Sequence, residues 1–270
     1  MRAALLLLLA VLPSHVAAAP RPVATADLAL GARVYQLQCA RCHGAAADGA
    51  GREAPALVPH PRNFTAGVFK FRTTPSSRPP ATADVLRTIG HGLNGTGMPS
   101  FPELTDDERH AVAAFVLKAA GLLDGAEPDP VAPMPPHPTP TSDRLALGRS
   151  LYVDAGCPKC HGAAGTPDAD STKDLKNADG TPATAPDLTT APLPGGDTPV
   201  DLYYRLLTGV DGSPMPSFEQ ALDGQDVWAL VDYVWSLRPA SPPAPPDPVA
   251  DGDPMRTSRW CRGCHAGARR

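Results

Sequence analysis

Hydrophobic positions along the chain fall into short helical stripes separated by proline-rich intervals. From Ala26 to about Arg41 the sequence is rich in Ala and Leu, which predicts a helix. Gly31 sits in its middle, where glycine costs about 1 kcal/mol relative to alanine. Thr105-Asp106-Asp107-Glu108 is a capping box that opens a helix with Val112, Phe115, Val116 and Ala119 on one stripe. A similar stripe runs from Asp226 to about Leu237, carrying Val227, Leu230, Val231, Val234 and Trp235. Thr198-Pro199-Val200-Asp201 reads as an N-cap with proline in the first turn, opening a short helix through Leu207. Thr82 to Ile89 matches it. No apolar/polar alternation predicts a strand, so the expected fold class is all-α.

The pattern occurs twice. Leu28-Ala29-Leu30-Gly31-Ala32-Arg33-Val34-Tyr35 matches Leu145-Ala146-Leu147-Gly148-Arg149-Ser150-Leu151-Tyr152. A helical glycine placed twice predicts a second backbone or ring lying against it, and the closing helices supply one, with Tyr233 aligned to Phe115. Two modules are expected, at 27–121 and 143–238, with a Pro-rich linker at 125–142 and a Pro-rich tail at 239–270. Such spacers extend as stiff polyproline II. A polar insert from Thr166 to Pro182 in the second repeat reads as a surface loop without chemistry.

Composition narrows the partners. With 34 Pro, 24 Gly and only 5% aromatic residues, two small modules fit better than one large core. A net charge of -4 leaves no basic footprint and excludes nucleic acid. Met1-Arg2, the apolar run Ala3 to Leu12 and the Ala-rich exit predict a signal peptide at 1–18, cleaved after Ala18. That run is too short to cross a bilayer, which takes about 20 apolar residues, and no later segment is long enough. The chain is therefore expected in the periplasm without a transmembrane anchor. Six cysteines in an exported chain would ordinarily form disulfides.

Their spacing points elsewhere. Cys39-Ala-Arg-Cys42-His43, Cys157-Pro-Lys-Cys160-His161 and Cys261-Arg-Gly-Cys264-His265 are three copies of C-x-x-C-H, the attachment signature of c-type haem. Two thiols add across the two vinyl groups of one porphyrin, and the adjacent His is thereby placed to ligate iron. A zinc site would want a second C-x-x-C or a His pair at finger spacing. A redox dithiol would want a preceding strand and has no need of the His. The sixth ligand emerges from the repeat. Gly92-Leu93-Asn94-Gly95-Thr96-Gly97-Met98-Pro99-Ser100-Phe101 matches Gly209-Val210-Asp211-Gly212-Ser213-Pro214-Met215-Pro216-Ser217-Phe218. Met98 follows His43 by 55 residues and Met215 follows His161 by 54. A thioether in a Gly/Pro-rich loop has no helix face to pack on, and it is a soft ligand suited to haem iron.

On these motifs, each repeat resembles a class I cytochrome c domain. The resemblance implies two tandem all-α domains in which Cys39, Cys42, Cys157 and Cys160 are thioether anchors, His43 and His161 proximal ligands, and Met98 and Met215 distal ligands. It also implies an N-terminal helix crossing the closing helix at glycine against an aromatic ring. Lys70 and Arg72 are candidates to approach a haem propionate, or else form an exposed basic segment. His137 and Met134, in the linker, read as bystanders.

The third motif lies five residues from the end, with no room for a methionine loop. Haem at Cys261, Cys264 and His265 would need a sixth ligand from Met255, His60, His91, His110 or His137, from a partner, or from nowhere; a vestigial motif is the alternative. The expected role is a multihaem electron carrier serving donor and acceptor proteins, and not an enzyme; an open third haem would be the one hint of catalysis. The alternatives are a haem subunit of a larger dehydrogenase or reductase, and a two-haem peroxidase, which needs an open site where this chain offers two methionine loops. Thiosulfate-oxidising two-haem enzymes use a cysteine distal ligand, and none is spare here.

Overall fold

Helix α1, Thr25–Val34, begins the first of two similar helical units. The computed structural model describes residues 25–76, 78–123 and 134–239. The expected signal at 1–18, the linker up to 133, and the tail with Cys261, Cys264 and His265 lie outside the described residues. The single helix expected from Ala26 to Arg41 is divided: α1 passes through a π-turn at Tyr35–Cys39 into the short α2, Ala40–His43. A π-turn inserts a residue into the helical register, and here it ends on Cys39, the first residue of the Cys-His motif. The first unit continues with α3, Thr82–His91, and α4, Asp106–Ala119. The second contains α5, Ser142–Asp154, α6, Pro158–His161, α7, Ala169–Thr172, α8, Pro199–Thr208, and α9, Gly224–Ser236. The closing helix starts two residues before Asp226, because Asp223 caps it by accepting from the N–H groups of Gln225 and Asp226. Among the described residues the β structure is one isolated bridge, Lys176 with Pro182.

In each unit the first helix crosses the last at its glycine. A Cβ on Gly31 would lie 2.0 Å from the carbonyl oxygen of Ala111, and one on Gly148 would lie 2.0 Å from that of Ala229. The closing helix can approach this closely only because no side chain intervenes. The aromatic partner is present in both: Tyr35 and Phe115 have ring centroids 4.8 Å apart, Tyr152 and Tyr233 5.4 Å. The first core gathers Tyr35, Val85, Ile89, Val112 and Val116; the second gathers Tyr152, Tyr203, Leu206, Trp228 and Leu230.

The units are docked on each other, which their reading as modules on stiff tethers did not anticipate. Arg72 of the first, with a side chain 1% exposed, forms a bidentate pair with Asp211 of the second at 2.8 and 2.7 Å. Arg87 pairs with Asp201. Phe71 lies on the backbone of Gly195, where a Cβ would come within 2.4 Å of its ring, and the Arg205 guanidinium stands 4.7 Å from that ring's centroid. The described end of the linker is also held. Met134 packs on the second core, Trp228 Nε1 donates to Pro135 O at 2.8 Å, and His137 stacks on Trp228 at 4.0 Å with Nε2 2.7 Å from Asp232. Proline removes chain entropy but does not forbid packing, so this stretch lies along α9 instead of spacing the units apart.

Candidate functional site

Each Cys-His motif forms one helical turn, followed by a glycine at positive φ, Gly44 (79°) and Gly162 (73°), that turns the chain back. A buried tyrosine fixes that turn. The Tyr35 hydroxyl donates toward the carbonyl oxygens of Gly44 (2.9 Å) and His43 (3.3 Å), and Tyr152 donates to Gly162 O at 2.7 Å. Burial, mainly, pushes both phenols well above their ordinary pKa, so they remain donors.

The histidines are oriented through Nδ1. His43 Nδ1 lies 3.0 Å from Arg62 O and His161 Nδ1 lies 3.2 Å from Pro186 O. A carbonyl can only accept, so Nδ1 carries the proton and Nε2 keeps its lone pair for a metal. Burial lowers the pKa of both rings, the carbonyl contact working against it, which favours the neutral imidazole that ligation needs.

The methionine loops are built alike. In the first, Leu93 N donates to Met98 O (3.0 Å), Thr96 N to Leu93 O (3.1 Å) and Met98 N to Thr96 Oγ1 (3.1 Å). In the second, Val210 N donates to Met215 O (3.1 Å), Ser213 N to Val210 O (3.0 Å) and Met215 N to Ser213 Oγ (3.2 Å). Main-chain bonds from Phe101 to Ile89 and from Phe218 to Leu206 tie each loop back to α3 or α8.

These elements open into one cavity of about 810 Å³, lined by Cys39, Cys42, His43 and Met98 from the first unit and Cys157, Cys160, His161 and Met215 from the second. All eight proposed site residues of the two repeats therefore converge. A volume toward the top of the ~300–1,000 Å³ range of small-molecule sites suits a large ligand. The other walls are largely apolar, with Phe64, Phe69 and Phe101 on one side and Leu188, Leu206 and Phe218 on the other. The four cysteines are unpaired thiols. Burial, chiefly, pushes Cys39 and Cys157 up to about 11. Two free thiols one turn apart, a neutral imidazole with Nε2 free, and a thioether, on an apolar chamber, are the donor set that a covalently attached porphyrin requires. The residues fit the group.

Of the two cations considered for a propionate, Lys70 lines the cavity, with Nζ 3.4 Å from Asn177 Oδ1. Arg72 does not: its guanidinium is committed to Asp211, Thr208 O, Thr74 O and Pro75 O. The insert Thr166–Pro182 is more than a surface loop, since Leu175, Asn177 and Pro182 line the same cavity and Ala178 N donates to Gly212 O at 3.1 Å. Arg62 and Arg205 line it as well and escaped the sequence reading. Arg205 had a readable signal, as the one charged residue in the last two turns of the amphipathic α8, where the first repeat has Thr88. His137 makes contacts on the far side of α9 and is not among the cavity residues.

Both units match families of known proteins. Residues 26–116 match the family model for cytochrome c oxidase, cbb3-type, subunit III, and residues 145–238 match that for cytochrome c. A Cbb3-type cytochrome c oxidase subunit CcoP from Azospirillum sp. (strain B510) is 27% identical over 224 residues, covering 78% of this chain and 62% of that protein. The chain thus spans less than two thirds of the length of that curated relative. Among solved structures, a chain of the Kuenenia stuttgartiensis reducing HAO-like protein complex is 37% identical, with a TM-score of 0.74. The match covers 78% of this chain and 96% of that one. Among the described residues no helix is long and apolar enough to cross a membrane.

Proposed function

The chain belongs to the class I c-type cytochromes, with two such domains in tandem, and from that premise we propose that it is an exported protein that relays single electrons through two His/Met-ligated haems. Cytochrome c domains carry covalently bound haem c, which when bound supplies one-electron chemistry between Fe(II) and Fe(III). Here Cys39, Cys42, Cys157 and Cys160 would anchor the two groups, His43 and His161 would donate from Nε2, and Met98 and Met215 would complete the coordination. The apolar walls exclude water, and the Nδ1 contacts to Arg62 O and Pro186 O hold each imidazole in one tautomer. With a methionine loop facing each motif, neither site leaves a position for substrate, which favours a relay over a peroxidase.

The observation that carries the reading is the shared cavity: both ligand sets open into one chamber, so an electron entering at one haem has a path to the other inside the same protein. Two measurements on the exported holoprotein test it. Intact mass counts the covalent haems, two at least and three if Cys261 and Cys264 are used, and a mature start at Ala19 supports the signal peptide. Oxidised visible spectra should carry the weak long-wavelength band of sulfur bound to iron. Absence of that band would remove the methionine assignment, and rapid peroxide turnover would replace this reading with an enzymatic one.

The relatives favour a second level of organisation. One is a subunit of an oxidase and the other a chain of a protein complex. By that likeness the relay would work as the haem subunit of a larger redox assembly, and co-purification of a catalytic subunit at fixed stoichiometry is the expected outcome.

A further inference from the structure

The two methionine loops match in their internal hydrogen bonds but not in what holds them from outside. In the first domain, Asn94 and Gly95 at the loop tip are exposed. In the second, the equivalent tip residues Asp211 and Gly212 are half-buried; Ala178 N of the same domain donates to Gly212 O, and the side chain that reaches Asp211 comes from the other domain. Arg72 Nε donates to Asp211 Oδ2 at 2.8 Å and its Nη2 to Asp211 Oδ1 at 2.7 Å. The same Nη2 is 3.3 Å from Thr208 O, where α8 gives way to the loop, and Nη1 donates to Thr74 O and Pro75 O of its own domain. Thr208 Oγ1 closes the circuit at 3.3 Å from Arg72 O. All five guanidinium N–H donors are thus used, three of them on the segment that leads into Met215. Asp211 lies inside the turn closed by the Val210–Met215 main-chain bond, so fixing its carboxylate fixes the turn that presents the sulfur.

We propose that Arg72 of the first domain is a positioning residue for Met215 of the second, so that the second haem keeps its thioether ligand only while the domains are docked. The inference rests on reading Met98 and Met215 as distal ligands. A buried arginine with a bidentate partner cannot be replaced by a mobile cation, because the planar fork sets the position of the loop as well as its charge. Among the described residues no side-chain hydrogen bond from the second domain supports the Met98 loop in this way, so the dependence runs one way. Separation of the domains would loosen sulfur at the second iron while leaving the first coordination unchanged.

The test uses the full-length oxidised holoprotein and the long-wavelength sulfur-to-iron band. Met98→His and Met215→His should each remove one of two contributions; if Met215→His leaves the band intact, the ligand assignment itself is wrong and the inference falls with it. In the Met98→His background, where only Met215 contributes, Arg72→Gln should abolish most of the band. Asp211→Asn, nearly the same shape and milder for folding, should weaken it. In the Met215→His background both substitutions should leave the Met98 band at full strength. Retention of the Met215 band in both variants overturns the proposal. So does parallel loss of the Met98 band, which would mark general unfolding instead of positioning.

Discussion

At the crossing of α1 with α4 the backbone of Gly31 meets Ala111, and at the crossing of α5 with α9 that of Gly148 meets Ala229, with the same 2.0 Å between a hypothetical Cβ and a carbonyl oxygen. Around the histidine proposed as proximal ligand the likeness ends. His43 is 9% exposed and its ring stacks on Phe64 at 4.5 Å, with Phe69 behind at 5.9 Å. His161 is less buried, and Leu188 takes the place of Phe64: Phe64 N donates to Ala47 O and Leu188 N to Gly165 O, each at 2.8 Å. Packing geometry is thus common to the two domains, while the dielectric surroundings of the ligands differ. A frame set by backbone contact tolerates little change, whereas side chains around the proposed ligands can diverge and would give the two proposed haems different potentials.

The largest effect should come from the shared part. Gly31→Ala and Gly148→Ala would each gain about 1 kcal/mol of helix propensity, yet the added methyl meets backbone that cannot swing aside. Overpacking costs about 1–3 kcal/mol where side chains can adjust, so a net loss of roughly 2 kcal/mol or more is expected from each. Denaturant unfolding of the holoprotein measures both, and a loss in one domain only would break the equivalence of the crossings.

The next largest effect addresses the difference. Burial in low dielectric disfavours the additional charge of the ferric state, so a haem held by the more buried His43 should have the higher potential of the two. Phe64→Leu gives the first domain the side chain of the second and should narrow the separation by roughly tens of millivolts. Leu188→Phe should narrow it from the other side. Potentiometric titration resolves the two haems, and an unchanged gap in both variants would remove Phe64 as the source of the asymmetry.

A smaller contrast lies in the tyrosines. Tyr35 approaches two carbonyls and Tyr152 one. Each buried hydrogen bond contributes on the order of 1 kcal/mol, so Tyr35→Phe should destabilise somewhat more than Tyr152→Phe in thermal unfolding. The reverse order would show that the 3.3 Å contact to His43 O contributes nothing.

What the chain revealed in advance divides along similar lines. The glycine crossings, the Thr105 and Thr198 caps, the motif spacing and the methionine loops were legible because each is a local pattern and each pattern, or its near equivalent, occurs twice. The π-turn at Tyr35–Cys39 was not, since a one-residue slip leaves the apolar stripe almost unchanged. Nor was the docking of the domains. Arg72 and Asp211 are 139 residues apart, and a single ion pair leaves no periodicity in a sequence. The insert read as a plain polar loop for the same reason, because Asn177 and Ala178 gain their role from residues far away in the chain. His137 and Met134 gave no sign of packing either, because their places on α9 depend on Trp228 and Asp232, distant in sequence.

The smallest expected effect separates the two closing helices by their caps. Helix α4 opens on a reciprocal box: Glu108 N donates to Thr105 Oγ1 at 3.2 Å, while Thr105 N and Oγ1 each donate to Glu108 Oε2 at 2.9 Å. Helix α9 opens on the Asp223 carboxylate alone. These hydrogen bonds from Thr105 hold the Glu108 carboxyl below its ordinary pKa. A depressed folded-state pKa means that the contribution is complete above the unfolded value, about 4.3, and is lost as pH falls through the folded one. Thr105→Ala should therefore destabilise the protein at neutral pH, with the gap to the unsubstituted protein narrowing as the medium is acidified below that value. Glu108→Gln should remove the pH-dependent part and leave the Thr105 Oγ1 bond to the helix. Chemical denaturation at several pH values measures this, and a Thr105→Ala deficit that stays constant through the acid range would mean that the carboxylate half of the box adds nothing to the first domain.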